Sequence, residues 1–162
     1  ARQWRSAVAP DPHRAAATAA LVAASLGHGR SLDRLSQGLL LLALAALLLP
    51  ELGATACGLL LASLIPAGIQ AYHAFRCGLN ARLFDHWARH WPTAGSQPDA
   101  DLHAFDQALA HCFGMRPDAA CTPTPRPLDD RARGALRLLR RQALALACQG
   151  LLVLAALVTR IV

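Results

Sequence analysis

The strongest chemical spacing in the chain is His86-Trp87-Ala88-Arg89-His90. Two histidines four apart point the same way on a helix, so His86 and His90 can share a Zn²⁺ or another borderline metal. Two ligands do not make a site, and completion would have to come from Asp85, His73, Cys77, His103, His111 or Cys112. The plainer alternative is a pair on an interfacial helix that hydrogen-bonds water, lipid phosphate or a neighbour, and it is the preferred one. No Glu flanks the pair in the zinc-protease arrangement, so metalloprotease chemistry is not supported. The expectation is no cofactor, with a transition metal at His86 and His90 as the exception to weigh.

Other catalytic patterns are weaker still. Haem ligation within one chain needs a second axial ligand at the depth of His73, and no other histidine lies beside an apolar segment. The five cysteines, Cys57, Cys77, Cys112, Cys121 and Cys148, contain no CxxC pair, and free thiols are the default. Cys112 beside His111 makes a poor nucleophile and base, because adjacent residues on a helix point about 100° apart. There is no phosphate-binding glycine-rich loop and no serine nucleophile elbow. The chain is therefore expected not to be an enzyme.

The elements that would position these residues are helices in lipid. Hydrophobic residues make up 54% of the 162 residues and charged residues 16%, against roughly 25% charged in soluble domains. The apolar excess is Leu and Ala, which favours helices over the aromatic-rich strands of an outer-membrane barrel. All the basic residues are Arg and Glu51 is the only Glu, a bias expected of a GC-rich, bacterial genome. From Leu35 to Phe75 the only charge is Glu51, whereas one crossing needs only about 20 residues. A break at Pro50-Glu51-Leu52-Gly53 yields two passes, from about Leu32 to Leu49 and from about Leu52 to His73. A third apolar run, Ala143 to Val162, matches one more crossing, with Arg160 able to snorkel to the interface. The segment Ala15 to Leu26 is too short to span and is expected to be a surface or cytosolic helix.

Arginines set the orientation. Five precede the apolar pair of helices, ten lie between Arg76 and Arg141, and none lies between Arg34 and Arg76. The positive-inside rule then predicts a cytoplasmic N-terminus, a cytoplasmic central region and a periplasmic C-terminus in a bacterial inner membrane. The second membrane helix is expected to run on into water, because Tyr72, Phe75, Leu79, Leu83, Phe84, Trp87 and Trp91 keep a helical spacing until Pro92. Arg76, Arg82, Trp87 and Trp91 here, with Arg140 and Arg141 before the last apolar run, are the expected membrane-interface residues, and anionic lipid at the cytoplasmic face is the expected partner rather than nucleic acid. A further amphipathic helix is predicted from Asp99 to Gly114, with Leu102, Phe105, Leu109, Cys112 and Phe113 on the face that covers the aromatic stripe. After a proline-rich loop to Arg126, helical periodicity runs from Pro127 into the last membrane pass.

Small residues repeat on two of the membrane helices: Ala54, Gly58 and Ala62 on the second, and Ala143, Ala147 and Gly150 on the third. Such strips allow helices to approach closely.

The sequence thus predicts an all-α integral membrane protein. Residues 1–31 form an N-terminal cytoplasmic segment with a short helix, 32–73 a transmembrane hairpin, 74–141 a cytoplasmic helical region with stalks, and 142–162 a C-terminal transmembrane helix. The expected function is a non-catalytic accessory or scaffolding subunit that binds other membrane protein subunits. The alternatives are an oligomeric, holin-like pore, for which a homo-oligomer is required, and a metal-binding sensor or enzyme at His86 and His90.

Overall fold

In the computed structural model, residues 11–49, 52–93, 96–112 and 127–161 are described, and all of their regular structure is helical. The helices are α1 (Pro12–Gly27), α2 (Gly29–Leu47), α3 (Ala54–His90), α4 (Pro98–Cys112) and α5 (Leu128–Ile161). Asp11 caps α1 by accepting from the His13 N–H at 3.0 Å, and Pro12 occupies the first turn, where its missing donor costs nothing. Between α1 and α2 only His28 interrupts the helix, and it keeps right-handed angles (φ −65°, ψ −20°). The two helices therefore behave as one rod with a joint. α3 carries Pro66 in its interior yet continues as one helix. α3 runs unbroken to His90 and α5 spans 34 residues.

A seven-residue repeat organises the interior. Buried positions recur at 15, 22, 29, 36 and 43 through α1 and α2, at 56, 63, 70, 77 and 84 on α3 and at 91 in its cap, and at 135, 142, 149 and 156 on α5. A period of 3.5 residues per turn keeps one stripe facing its partners along a left-handed supercoil. Gly29 lies against Cys77 and Gln142, whereas Ala43 clusters with Leu60 and Ala156. α3 therefore runs antiparallel to the α1–α2 rod, and α5 runs parallel to it. The result is a three-helix bundle with α3 packed against each of the others.

Two apolar clusters fill the bundle. One combines Ala15, Ala19, Val22, Leu26, Phe84, Trp87, Trp91 and Leu102 with Ala132 and Ala135. The other, towards the opposite end, joins Ala43, Ala46, Leu60, Val153 and Ala156. α1, expected as a surface or cytosolic helix, contributes one face to this cluster, because its alanines form a flat surface that admits the large aromatics of α3. α4 closes the first cluster: the Trp91 Nε1–H donates to Asp101 at 2.9 Å, Trp87 meets the Phe105 edge, and Arg131 of α5 donates to Asp106 at 2.5 Å. α4 begins at Pro98, so Asp99 stands in its first turn rather than at its cap. Of the other residues predicted for this face, the side chains of Leu109 and Cys112 are not described, and Phe113 and the predicted helix end at Gly114 lie outside the described residues.

Among the described residues two helices, α3 and α5, are long and apolar enough to cross a membrane. Only 28% of the most apolar window in each is buried inside the bundle, the reverse of a soluble core helix. Leu41, Leu48, Leu61, Ile65, Leu151 and Leu154 all point outward at this end. α2 does not reach that length. It starts at Gly29 rather than Leu32, carries Arg30, Asp33 and Arg34 in its first turns, and is uninterruptedly uncharged only from Leu35 to Leu47, about 20 Å of helix.

Candidate functional site

Between the two apolar clusters lies a belt of polar side chains that the bundle encloses. Ser36, Ser63, Gln70, Gln142 and Gln149 are all buried, the three glutamines at 0% exposure. The belt repeats with the heptad, since one repeat beyond the Gly29, Cys77 and Gln142 layer stand Ser36, Gln70 and Gln149. Ser36 Oγ donates to Gln149 Oε1 at 2.5 Å, and Gln149 Nε2 donates to the Ser36 carbonyl at 3.0 Å. One repeat earlier, Gln142 Nε2 donates to the Gly29 carbonyl at 2.7 Å. Ser63 Oγ turns back onto the Leu60 carbonyl. Each cross-helix bond ties α5 to α2 at one register, and a slip of the helices would strand several amide groups away from water.

The belt is not fully satisfied. Both amide atoms of Gln70, Nδ1 of His73 and Oε1 of Gln142 are buried with no hydrogen-bond partner. An unpaired buried polar group costs on the order of 1–3 kcal/mol. Gln70 therefore weakens the bundle in which it sits, whereas Gln149, with two bonds, strengthens it.

His86 and His90 do stand together. Their ring centroids are 4.0 Å apart, and His90 Nδ1 lies 2.9 Å from the His86 carbonyl, which leaves Nε2 outward. The proposed completing groups do not join them: Asp85 is held by Arg89, His103 pairs with Gln107 on α4, and Cys77 is buried in the bundle. Among the described residues no group of three His, Cys, Asp or Glu is placed to hold a metal ion.

The expected packing strips are placed largely outward. Ala54, Gly58, Ala143 and Ala147 are exposed, and Ala62 and Gly150 are half-buried. The stripe that α3 presents to the bundle is Ala56, Leu60, Ser63, Ala67 and Gln70 instead. In a helix this rich in small residues several stripes satisfy the same spacing, and the polar side chains decide which turns inward. The expected interface residues also divide. Arg76, Arg82, Arg140 and Arg141 are exposed, but Trp87 and Trp91 are buried, stacked at 5.5 Å inside the cluster that α1 and α4 complete. Their indoles find a dry pocket against alanines, which outweighs an interfacial position. Tyr72, Phe75 and Leu79 are the members of the aromatic stripe that stay outside.

A groove of about 410 Å³ runs between α1 and α3, walled by Ala20, Ala23, Ala24, Gly27, Ala74 and Gly78. Cys77 also lines this groove and is buried in the bundle.

Neither a protein-family model, nor a curated protein, nor a solved structure matches the chain.

Proposed function

We propose that the chain is a multi-pass protein of a bacterial inner membrane and a non-catalytic accessory or scaffolding subunit of a larger membrane complex. The observation that carries the reading is the outward apolar surface of α3 and α5, where little of each candidate span is covered by the bundle itself. Lipid, or the helix of another subunit, is the environment in which that surface is stable. In this reading α3 and α5 cross fully. α2 accompanies α3 as the other arm of a hairpin and thins or tilts to match, at a modest mismatch cost. The arginine-rich half, with α1 and α4, lies in the cytoplasm, and the C-terminal end of α5 faces the periplasm.

Partner binding follows from the outward small-residue strips. Ala54 and Gly58 on α3 leave room for a closely approaching helix, and a Cβ built on Gly58 meets nothing within 4 Å. Gly58→Leu should leave membrane insertion and bundle stability intact while reducing several-fold the recovery of partner subunits in native co-purification from membranes. Unchanged recovery would remove this face from the proposal. A homogeneous ring of this chain alone would favour the pore instead.

A further inference from the structure

The heptad register brings arginines from three helices to one height. Relative to the layer of Gly29, Cys77 and Gln142, Arg30 and Arg76 are one residue away along their helices. Arg141 and Arg140 are one and two residues away on α5. At 1.5 Å per residue these four guanidinium-bearing positions lie within about 3 Å of that layer, and within about 4.5 Å of one another, along the bundle axis. Arg34, Arg82 and Arg137 follow within five residues, or about 8 Å. All seven are exposed.

Little on the protein balances them. Within 29–49, 66–84 and 134–161 the only carboxylate is Asp33, which accepts a hydrogen bond from Gln37. The three ion pairs found among the described residues involve Arg89, Arg131 and Arg133, all farther from the apolar end. Of the collar, Arg76 is held in place, donating to the Tyr72 hydroxyl at 3.1 Å with its guanidinium 5.8 Å from the ring centroid. Immediately beyond the collar the exposed surface turns apolar on every helix, with Leu35 on α2, Tyr72 on α3 and Leu144 on α5.

We infer that this collar, built on Arg30, Arg76, Arg140 and Arg141, is a binding site for anionic phospholipid: guanidinium groups take the headgroup phosphates while the acyl chains lie along Leu35, Tyr72 and Leu144. Arginine suits the task because its planar fork pairs with phosphate oxygens in a bidentate manner. A zwitterionic headgroup brings its own ammonium beside the phosphate and is repelled by the same ring. Uncompensated arginines at one level also repel each other, so the anion removes a strain that the folded bundle otherwise carries.

The inference rests on the membrane reading proposed above. The test uses the full chain in neutral detergent, titrated with phosphatidylglycerol, phosphatidylcholine or inorganic phosphate, with bound lipid counted by native mass spectrometry and the unfolding midpoint followed. Phosphatidylglycerol alone should bind and raise the midpoint. The Arg76→Gln, Arg140→Gln, Arg141→Gln triple variant, which removes exposed groups only, should melt without lipid no lower than the wild type, because the repulsion is relieved, and lose roughly a hundredfold in lipid affinity. Equal binding of the two lipids, an equal effect of free phosphate, or undiminished affinity in the triple variant would overturn the site. Failure of the membrane reading has a different signature, a chain that stays monodisperse without detergent.

Discussion

Gly29→Leu is expected to unfold the bundle at its waist, with the loss of the wild-type melting transition in detergent. At Gly29 the α1–α2 rod faces both partners. A Cβ there would stand 2.9 Å from Gln142 Oε1, 3.5 Å from Leu139 Cδ1 and 3.6 Å from Cys77 Cβ. The first of these is the end of a flexible side chain, so Gly29→Ala displaces the amide and strains the Gln142 bond to the Gly29 carbonyl without parting the helices. A leucine has no such exit. Its branched end must enter space occupied by α3 and α5, and overpacking of this kind typically costs about 1–3 kcal/mol, occasionally more. The loss of the 2.7 Å bond and the burial of another polar orphan add to it. The measurement is the thermal midpoint of the purified variants beside Gly58→Leu, which adds the same side chain where nothing stands within 4 Å. Equal midpoints for Gly29→Leu and Gly58→Leu would show that the close approach is absent.

Replacing glutamine by leucine should have opposite consequences at two positions on the same level of the belt. Gln149→Leu removes both bonds to Ser36 and is expected to lower stability by about 1–3 kcal/mol, since each interhelical hydrogen bond in a membrane bundle contributes about 0.6 to 1.7. Gln70→Leu removes an amide whose donor and acceptor are both buried and unpaired, and an apolar group of similar volume relieves that cost. It is expected to stabilise the bundle by about 1–2 kcal/mol. The two variants make the same side-chain exchange, so their signs isolate hydrogen bonding from bulk. A Gln70→Leu protein that melts below the wild type would mean that Gln70 has a polar partner in the membrane.

How far the architecture is legible in the chain depends on which physical signal carries it. Helix positions and lengths follow from periodicity and proline: Pro92 comes just past the Trp91 cap of α3, and Pro127 directly precedes α5. The identity of the inward faces is harder. Hydropathy separates lipid from water but is blind to the difference between lipid and protein, because Leu and Ala suit both. Hence the strips through Ala54 and Ala143 look as good on paper as the one through Ala56 that is used. A usable signal was present in the polar residues, which avoid lipid and so mark the inside. Ser63, Gln70 and Cys77 stand seven apart, as do Gln142 and Gln149, and Gly29 and Ser36. The burial of Trp87 and Trp91 was hidden for another reason. An aromatic beside arginine has the same local pattern at a bilayer interface as in a core, and only the packing of α1 and α4 over it distinguishes the two.

The most direct test of lipid contact uses Cys148, which the bundle leaves exposed on the apolar half of α5. With the other four cysteines replaced by serine or alanine, native membranes are treated with a charged maleimide, and Arg140→Cys in a Cys148→Ala background serves as the exposed reference two turns earlier on the same helix. The account predicts rapid labelling at position 140, none at Cys148 until the membrane is dissolved, and equal labelling of both in denaturant. Labelling of Cys148 in intact membranes at the rate seen at position 140 would place that face in water and contradict it.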